Sequence, residues 1–439
     1  MTVKKLVNIF LEIETKYDLL NREWAGVKAW QAFRMQIYYE IAQEVGVFKK
    51  PHTEKESIWD RLKNLGTIIK SSLFYNPFLS KNNSDYICID HKRKRKVDGQ
   101  YIDIYTKYFL SELRKHEVKV EVWEKPYLNK HLTGWETNRY HLDFLGFCYH
   151  VSAWFYNYRF SREEKEVLKS IEKDISGQLD IEIEIEDRIS KYISLSKFQY
   201  LFFKKLFQLK TPQKLFIVVA YGFSNVVKAA KDLGIETIEL QHGVISKFHM
   251  GYHYPNNDAY LEYFPDKLLL WDDYWKLMAD FPLPDSKIGI YPFKFLQKKK
   301  KNYKKVQKIE DQILVISQGV IGDRIAKKIL RQIESLKDFK IIFKLHPGEA
   351  DRWTTYQFLP KLKNYPNVEI VDDFNKDIYY YFAQSKYVLG VFSTAVFEAL
   401  EFNCEIILLD LPGIEYMEDF LKNDKAALVT GDENITDFI

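Results

Sequence analysis

Two stretches decide the fold: Lys340–Glu349, which reads KIIFKLHPGE, and Tyr387–Glu398, which reads YVLGVFSTAVFE. Each opens on a short apolar run of the kind that forms a buried strand, then turns polar at once, at His346 and at Ser393. Each then enters a segment with helical spacing. In open α/β sheets, ligands sit beyond the carboxyl ends of parallel strands. A histidine, two hydroxyls and the carboxylate of Glu398 at such an edge point to a bound group, and a nucleoside mono- or diphosphate is the expected one.

The same alternation extends in both directions. Strands are expected at Asp85–Asp90, Val118–Trp123, Leu215–Ala220, Glu236–Leu240, Lys267–Trp271, Lys287–Ile290, Gln312–Ser317, Val368–Val371 and Glu405–Leu409. Helices are expected at Tyr101–His116, Ser224–Leu233, Asp323–Leu336 and Ile378–Gln384. The charged stretch Arg162–Tyr200, including DIEIEIED, is also read as helical. Strands alternating with helices imply right-handed βαβ units and parallel sheets. The spacing predicts a helical N-terminal extension over residues 1–75, a first Rossmann-like domain over 76–297, a solvated basic linker over 298–310 and a second Rossmann-like domain over 311–439. The fold class is therefore α/β, with two Rossmann-type domains facing a cleft. The chain stops at Ile439, where a further helix is expected.

Composition narrows the class. At 439 residues the chain exceeds one ordinary core, and 46% hydrophobic with 29% charged residues describes a folded globular protein. A net charge of +4 is too mild for a dedicated nucleic-acid binder, so no nucleic-acid partner is expected. Cys88, Cys148 and Cys404 are scattered, without the spacing of a disulfide framework or a zinc site, which fits a reducing cytoplasm. No segment approaches the ~20 apolar residues that span a bilayer, so any membrane contact is peripheral.

Individual residues carry the chemistry. Ser393 and Thr394 precede a helix, where one hydroxyl caps the helix and the other, with free N–H groups, holds phosphate. Glu398, one turn into that helix, is placed for ribose hydroxyls or for solvent. Gln318-Gly319 opens the first βα turn of the second domain, with Gly319 and Gly322 allowing close backbone approach and Arg324 adding charge. In the first domain His242, between Gln241 and Gly243, ends a strand and is the first candidate for a general base. Asp90 and Asp98 are the alternatives, together with a purely structural role for His242. Gln241 and the basic loop residues Arg93 and Arg95 are candidates for acceptor binding. His242, His249 and His253 lack an acidic partner pattern, so no metal and no cofactor is expected. Lys197–Lys210 mixes basic and aromatic residues, as a core helix or one lying on an anionic bilayer does.

In this order, Gln241-His242-Gly243, the basic run, Lys344-Leu345-His346-Pro347 and Phe392-Ser393-Thr394 followed by Glu398-Ala399-Leu400, the chain resembles bacterial surface-polysaccharide glycosyltransferases of the GT-B class. It is closest in style to capsule and sialyltransferase-like enzymes. It is also similar to the CDP-glycerol glycerophosphotransferases of teichoic acid synthesis. The resemblance covers about residues 215–420. It implies that His346 and Pro347 contact the phosphate or base of a nucleotide-sugar donor. It further implies inverting transfer to a lipid-linked saccharide at the inner face of the cell membrane. Two departures from the teichoic acid pattern favour a sugar over a polyol phosphate: Gln241-His242-Gly243-Val244-Ile245 replaces Trp-His-Gly-Thr-Pro, and Val391-Phe392 replaces Asp-Tyr. Polyol-phosphate transfer, epimerisation of a free nucleotide-sugar and a non-catalytic sugar-nucleotide-binding subunit are the alternatives.

Overall fold

The computed structural model describes residues 1–47, 58–80, 84–127, 130–132, 138–143, 145, 158–255, 259–319, 321–373 and 376–439. The chain divides into two compact units, Val3–Phe293 and Lys294–Ile439.

Unit 1 is built on a seven-stranded, wholly parallel sheet. Its spatial order is β5 (Arg139–His141), β4 (Val120–Glu124), β1 (Tyr86–Ile89), β6 (Lys214–Val218), β7 (Glu236–Leu240), β8 (Lys267–Leu270) and β9 (Ile288–Ile290). Chain order reverses between β1 and β6, which is the topological switch point of a doubly wound sheet. These strands are buried on both faces and hence read as continuous apolar runs. Ile87, Ile89, Leu215 and Ile217 pack on one side, and Cys88, Val122, Phe216 and Val218 on the other. A separate hairpin, β2 (Arg95–Val97) and β3 (Gln100–Ile102), projects after β1.

Helices α1 (Val3–Lys16) and α2 (Ala29–Glu44) belong to this unit. α1 packs on α5 (Arg162–Leu179), and α2 packs on α6 (Ile185–Lys210) and α7 (Ser224–Lys231). Among the described residues the unit also contains α3 (Ile58–Phe74) and α4 (Lys107–Lys115).

Unit 2 repeats the plan with six parallel strands. Their order is β12 (Val368–Val371), β11 (Lys340–Lys344), β10 (Ile309–Ile316), β13 (Ser385–Gly390), β14 (Glu405–Leu409) and β15 (Ala427–Val429), and the switch point lies between β10 and β13. Its helices are α8 (Lys294–Asn302), α9 (Gly322–Arg331), α10 (Ile378–Gln384), α11 (Thr394–Leu400) and α12 (Glu418–Lys422). The α/β class and the two Rossmann-type sheets expected from the sequence are both present.

Several elements differ from expectation. The lysine run taken for a solvated linker is mostly helix α8. Phe295 and Leu296 are buried, Lys299 pairs with Asp377 at 2.6 Å and Lys300 with Glu401 at 2.9 Å. Lysine is a good helix former, and its charge here meets carboxylates of the same unit. DIEIEIED is not continuous helix: Asp180 ends α5 in the left-handed region, and Glu172 accepts the first N–H groups of α6 from Ile185 and Glu186. Tyr101–His116 begins as strand β3 and becomes helical only at Lys107. Strands β5 and β15, three residues each, were too short to register as apolar runs. Cys88 and Cys404 are free and buried, whereas Cys148 lies outside the described residues. No helix among the described residues is long and apolar enough to cross a membrane.

Candidate functional site

In unit 2 the switch point brings together the loops after β10, β11 and β13. Phe392 N donates to Gln318 Oε1 at 3.2 Å, tying the β13 loop to the β10 loop. A Cβ built on Gly319 would lie 3.4 Å from His346 Nδ1, so the β10 and β11 loops meet closely here. His346 is exposed, and its Nδ1 accepts from Gly348 N at 3.1 Å, which leaves Nε2 as the protonated, donating nitrogen. Glu349, fully buried, accepts at Oε2 from Ser317 Oγ (2.7 Å) and His346 N (3.1 Å), and burial pushes its carboxyl above the usual range. A Cβ on Gly322 would come 2.0 Å from Glu349 Oε1, so the room at Gly322 is taken by this carboxylate.

Ser393 Oγ accepts from Ala395 N at 3.2 Å as the cap of α11, and Thr394 and Glu398 follow on that helix, half-buried. Pro347 and Arg324 are exposed. The structure thus gathers Gln318, Gly319, His346, Ser393 and Thr394 at one sheet edge.

In unit 1 the switch point opens into a cavity of about 500 Å³ lined by Asp90, His91, Lys92, Lys125, Tyr221 and His242, among others. His242 Nδ1 lies 3.3 Å from Tyr252 Oη, and Tyr252 donates its single proton to Glu239 Oε1 at 2.6 Å. Tyr252 can then only accept from the ring, so Nδ1 carries the imidazole proton and Nε2 presents its lone pair, 3.4 Å from Tyr221 Oη. Burial, with His91 and His249 nearby, holds His242 well below its ordinary pKa, so the ring is neutral at pH 7. Glu239 is buried and also accepts from Ala220 N at 3.0 Å, and burial raises its pKa to about 7.

Val219, which lines the same cavity, has φ +66°, a strained conformation for a β-branched residue. Lys125 stacks on Phe223 at 4.0 Å, and burial beside Lys92 lowers its pKa to about 8.

The other residues singled out from the sequence are held by contacts of their own. Asp90 is buried in a clamp, with Lys94 Nζ at 2.5 Å and Arg139 Nη1 at 2.8 Å from Oδ2. Asp98, exposed with φ +49°, forms the β2–β3 turn with Gly99, where such a backbone suits Asp-Gly. Arg93 lines the cavity, 5.9 Å from the Tyr127 ring, and Arg95 lies on the hairpin. Gln241 accepts from Trp271 N (2.8 Å) and donates to the Gly243 carbonyl (2.9 Å), a role inside the loop.

The aromatic residues Phe203 and Phe207 of α6 face the core, while Leu201, Lys205 and Leu209 face outward. Sequence reading missed Glu239, Tyr252 and Tyr221. Only Glu239 left a signal, as a carboxylate inside the buried run ETIEL.

No protein-family model matches the chain. An uncharacterized protein of Methanocaldococcus jannaschii is 27% identical over 201 residues, 44% of this chain and 34% of that protein. The chain therefore matches about a third of the length of that curated relative. Among solved structures, the UDP-GlcNAc 2-epimerase from Methanocaldococcus jannaschii aligns with 79% of this chain and 89% of its own, at 12% identity and a TM-score of 0.47. The UDP-GlcNAc 2-epimerase from Neisseria meningitidis bound to UDP-GlcNAc covers 79% and 87%, at 11% and 0.45. A glycosyltransferase from Rickettsia africae ESF-5 covers 80% and 86%, at 13% and 0.40.

Proposed function

We propose that the protein is a sugar-nucleotide-dependent glycosyltransferase acting on an anionic, lipid-linked saccharide in surface polysaccharide synthesis. The observation that carries this reading is the Glu239–Tyr252–His242 chain at the unit 1 switch point, which leaves a neutral imidazole with Nε2 as its basic atom beside a cavity of about 500 Å³. An acceptor hydroxyl needs such a base when it attacks an anomeric carbon. Its proton passes to Nε2 as the new glycosidic C–O bond forms and the bond to the nucleotide phosphate breaks. Unit 2 binds the nucleotide: His346 Nε2–H and the loops after β10 and β13 offer donors to the phosphate oxygens on which charge accumulates. Lys92, Arg93 and Lys125 line the unit 1 cavity. Burial first, and Lys92 second, depress Lys125, and a phosphate on the acceptor would supply it with a counter-anion.

A membrane-borne acceptor also accounts for the surface of α3. Leu65, Ile69 and Leu73 are 50–60% exposed at i, i+4 and i+8, followed by exposed Phe74 and Leu79, with Lys70 among them. The double substitution Ile69→Asp/Leu73→Asp is expected to abolish co-sedimentation with vesicles containing anionic lipid while leaving nucleotide binding unchanged. Equal sedimentation of this variant and the wild type would remove the membrane from the proposal.

The first test is thermal stability in the presence of CMP, CDP, UDP and GDP. One nucleotide at 100 times its Kd is expected to stabilise the fold by about 2.7 kcal/mol. The effect should vanish in His346→Ala and Ser393→Ala. With that nucleotide's sugar, turnover should require a saccharide acceptor. Conversion of the donor alone would identify an epimerase, and no shift with any nucleotide would overturn the site in unit 2.

A further inference from the structure

The outer edge of the unit 1 sheet holds a second cluster, which the proposed transfer does not use. Glu124 ends β4, His141 ends β5 and His131 lies in the loop between them. Three of their atoms converge: Glu124 Oε1 is 2.7 Å from His131 Nδ1 and 3.5 Å from His141 Nε2. The potential ligand atoms of the three residues all lie within 4.8 Å of one another. The two imidazoles stack in parallel, with ring centroids 3.4 Å apart, so one ring must tilt before both lone pairs reach a single ion.

The far side of each residue is held by a separate partner. His131 Nε2 is 2.6 Å from Asp143 Oδ2, His141 Nδ1 is 3.1 Å from Ser71 Oγ of α3, and Glu124 Oε2 is 2.5 Å from Arg139 Nη1. Metal-binding histidines are oriented in this way, with one nitrogen on the metal and the other on a carboxylate or another hydrogen-bonding group.

The charges decide which species can sit here. Among the described residues, Asp90, Glu124 and Asp143 face two permanent cations, Lys94 and Arg139. With both imidazoles neutral the cluster lacks one positive charge. Asp143 also keeps Oδ1 buried without a hydrogen-bond partner. A proton on His131, shared between Glu124 and Asp143, closes this deficit, and a divalent cation in its place leaves the cluster with one positive charge in excess.

We propose that Glu124, His131 and His141 form a divalent metal site of zinc type, with Asp143, Ser71 and Arg139 as its outer shell. Two imidazoles, a carboxylate and a position left for water suit zinc better than calcium or magnesium, which take oxygen ligands. Because Ser71 lies on α3, the metal would fasten α3 to the β4–β5 edge. These histidines are distinct from His242, His249 and His253, the only histidines whose spacing drew attention in the sequence.

The test uses the full chain, stripped with EDTA, dialysed and titrated with Zn²⁺, with bound metal measured per chain. Cobalt supplies a second readout, through the visible absorption of a four-coordinate site. One equivalent should bind saturably and raise Tm. Ser71→Ala, a small change outside the ligand set, should weaken binding by about 10–100-fold. His141→Ala should lose the equivalent, while Asp98→Asn, on the exposed hairpin turn, should retain it. If the stripped wild type takes up no saturable equivalent, or if His141→Ala binds as the wild type does, the proposal is overturned and a proton on His131 is what balances the cluster.

Discussion

Replacement of His242 by alanine is expected to lower the rate of the proposed transfer by roughly 10²–10⁴-fold, the usual worth of a positioned general base. Nucleotide binding by unit 2 should be unaffected. Glu239→Gln should lose much of the same factor without touching substrate. An amide in that position lets Tyr252 donate elsewhere, and His242 Nδ1 then no longer has a fixed acceptor. The pH profile separates these roles. Glu239 titrates near 7 because it is buried, whereas His242 is already neutral there. Activity should therefore rise through about pH 7 as Glu239 ionises, and that limb should disappear in Glu239→Gln.

Stability moves the opposite way. The folded state holds this proton up to about pH 7, and the unfolded chain releases it near the ordinary 4.5. The contribution of Glu239 to stability is thus fully present below pH 4.5 and is lost as the pH climbs to 7. A rate for His242→Ala within threefold of wild type would show that another group takes the proton.

The second large effect is on folding. Arg34→Met is expected to destabilise unit 1 by about 3–5 kcal/mol, as removal of one partner from a buried ion pair does. Arg34 is 2% exposed, bonds Glu14 through Nε (2.6 Å) and Nη2 (2.8 Å), and donates from Nη1 to the carbonyls of Met250 and His253. Its loss leaves the Glu14 carboxylate buried with Trp30 Nε1 at 2.8 Å, and frees the two carbonyls on either side of Tyr252. Urea midpoints should show the loss. The double substitution Glu14→Leu/Arg34→Met should recover most of it, since no charge is then stranded. A shift below 1 kcal/mol in the single variant would mean that water reaches the pair. Through the carbonyls of Met250 and His253, helices α1 and α2 help to position the proposed base, although their sequence carries no catalytic motif.

Much of this architecture was legible because parallel strands buried on both faces leave dense apolar runs. The strands bearing His346, Ser393 and His242 could be read directly for that reason. What the runs hide is pairing across distance. Tyr252 reaches His242 through a loop with no periodicity, and Glu124, His131 and His141 converge from residues with no motif spacing. Asp98 looked catalytic because an aspartate after a strand and a hairpin turn share the same letters, and only the backbone angle separates them. The lysine run looked like a linker because its carboxylate partners, Asp377 and Glu401, lie far along the chain.

The register at the centre of the unit 1 sheet has a kinetic consequence. Tyr86 is matched with Lys214, and β1 cannot gain this neighbour until the hairpin, α4, β4, β5 and both long helices have been made. Loop closure across such a span is slow, and until it occurs the apolar faces of β1 and β4 lack their cover. On the ribosome the N-terminal unit would wait, partly collapsed, for its fourth strand, so co-translational chaperone capture should be greatest before β6 has emerged and fall once Val218 is out.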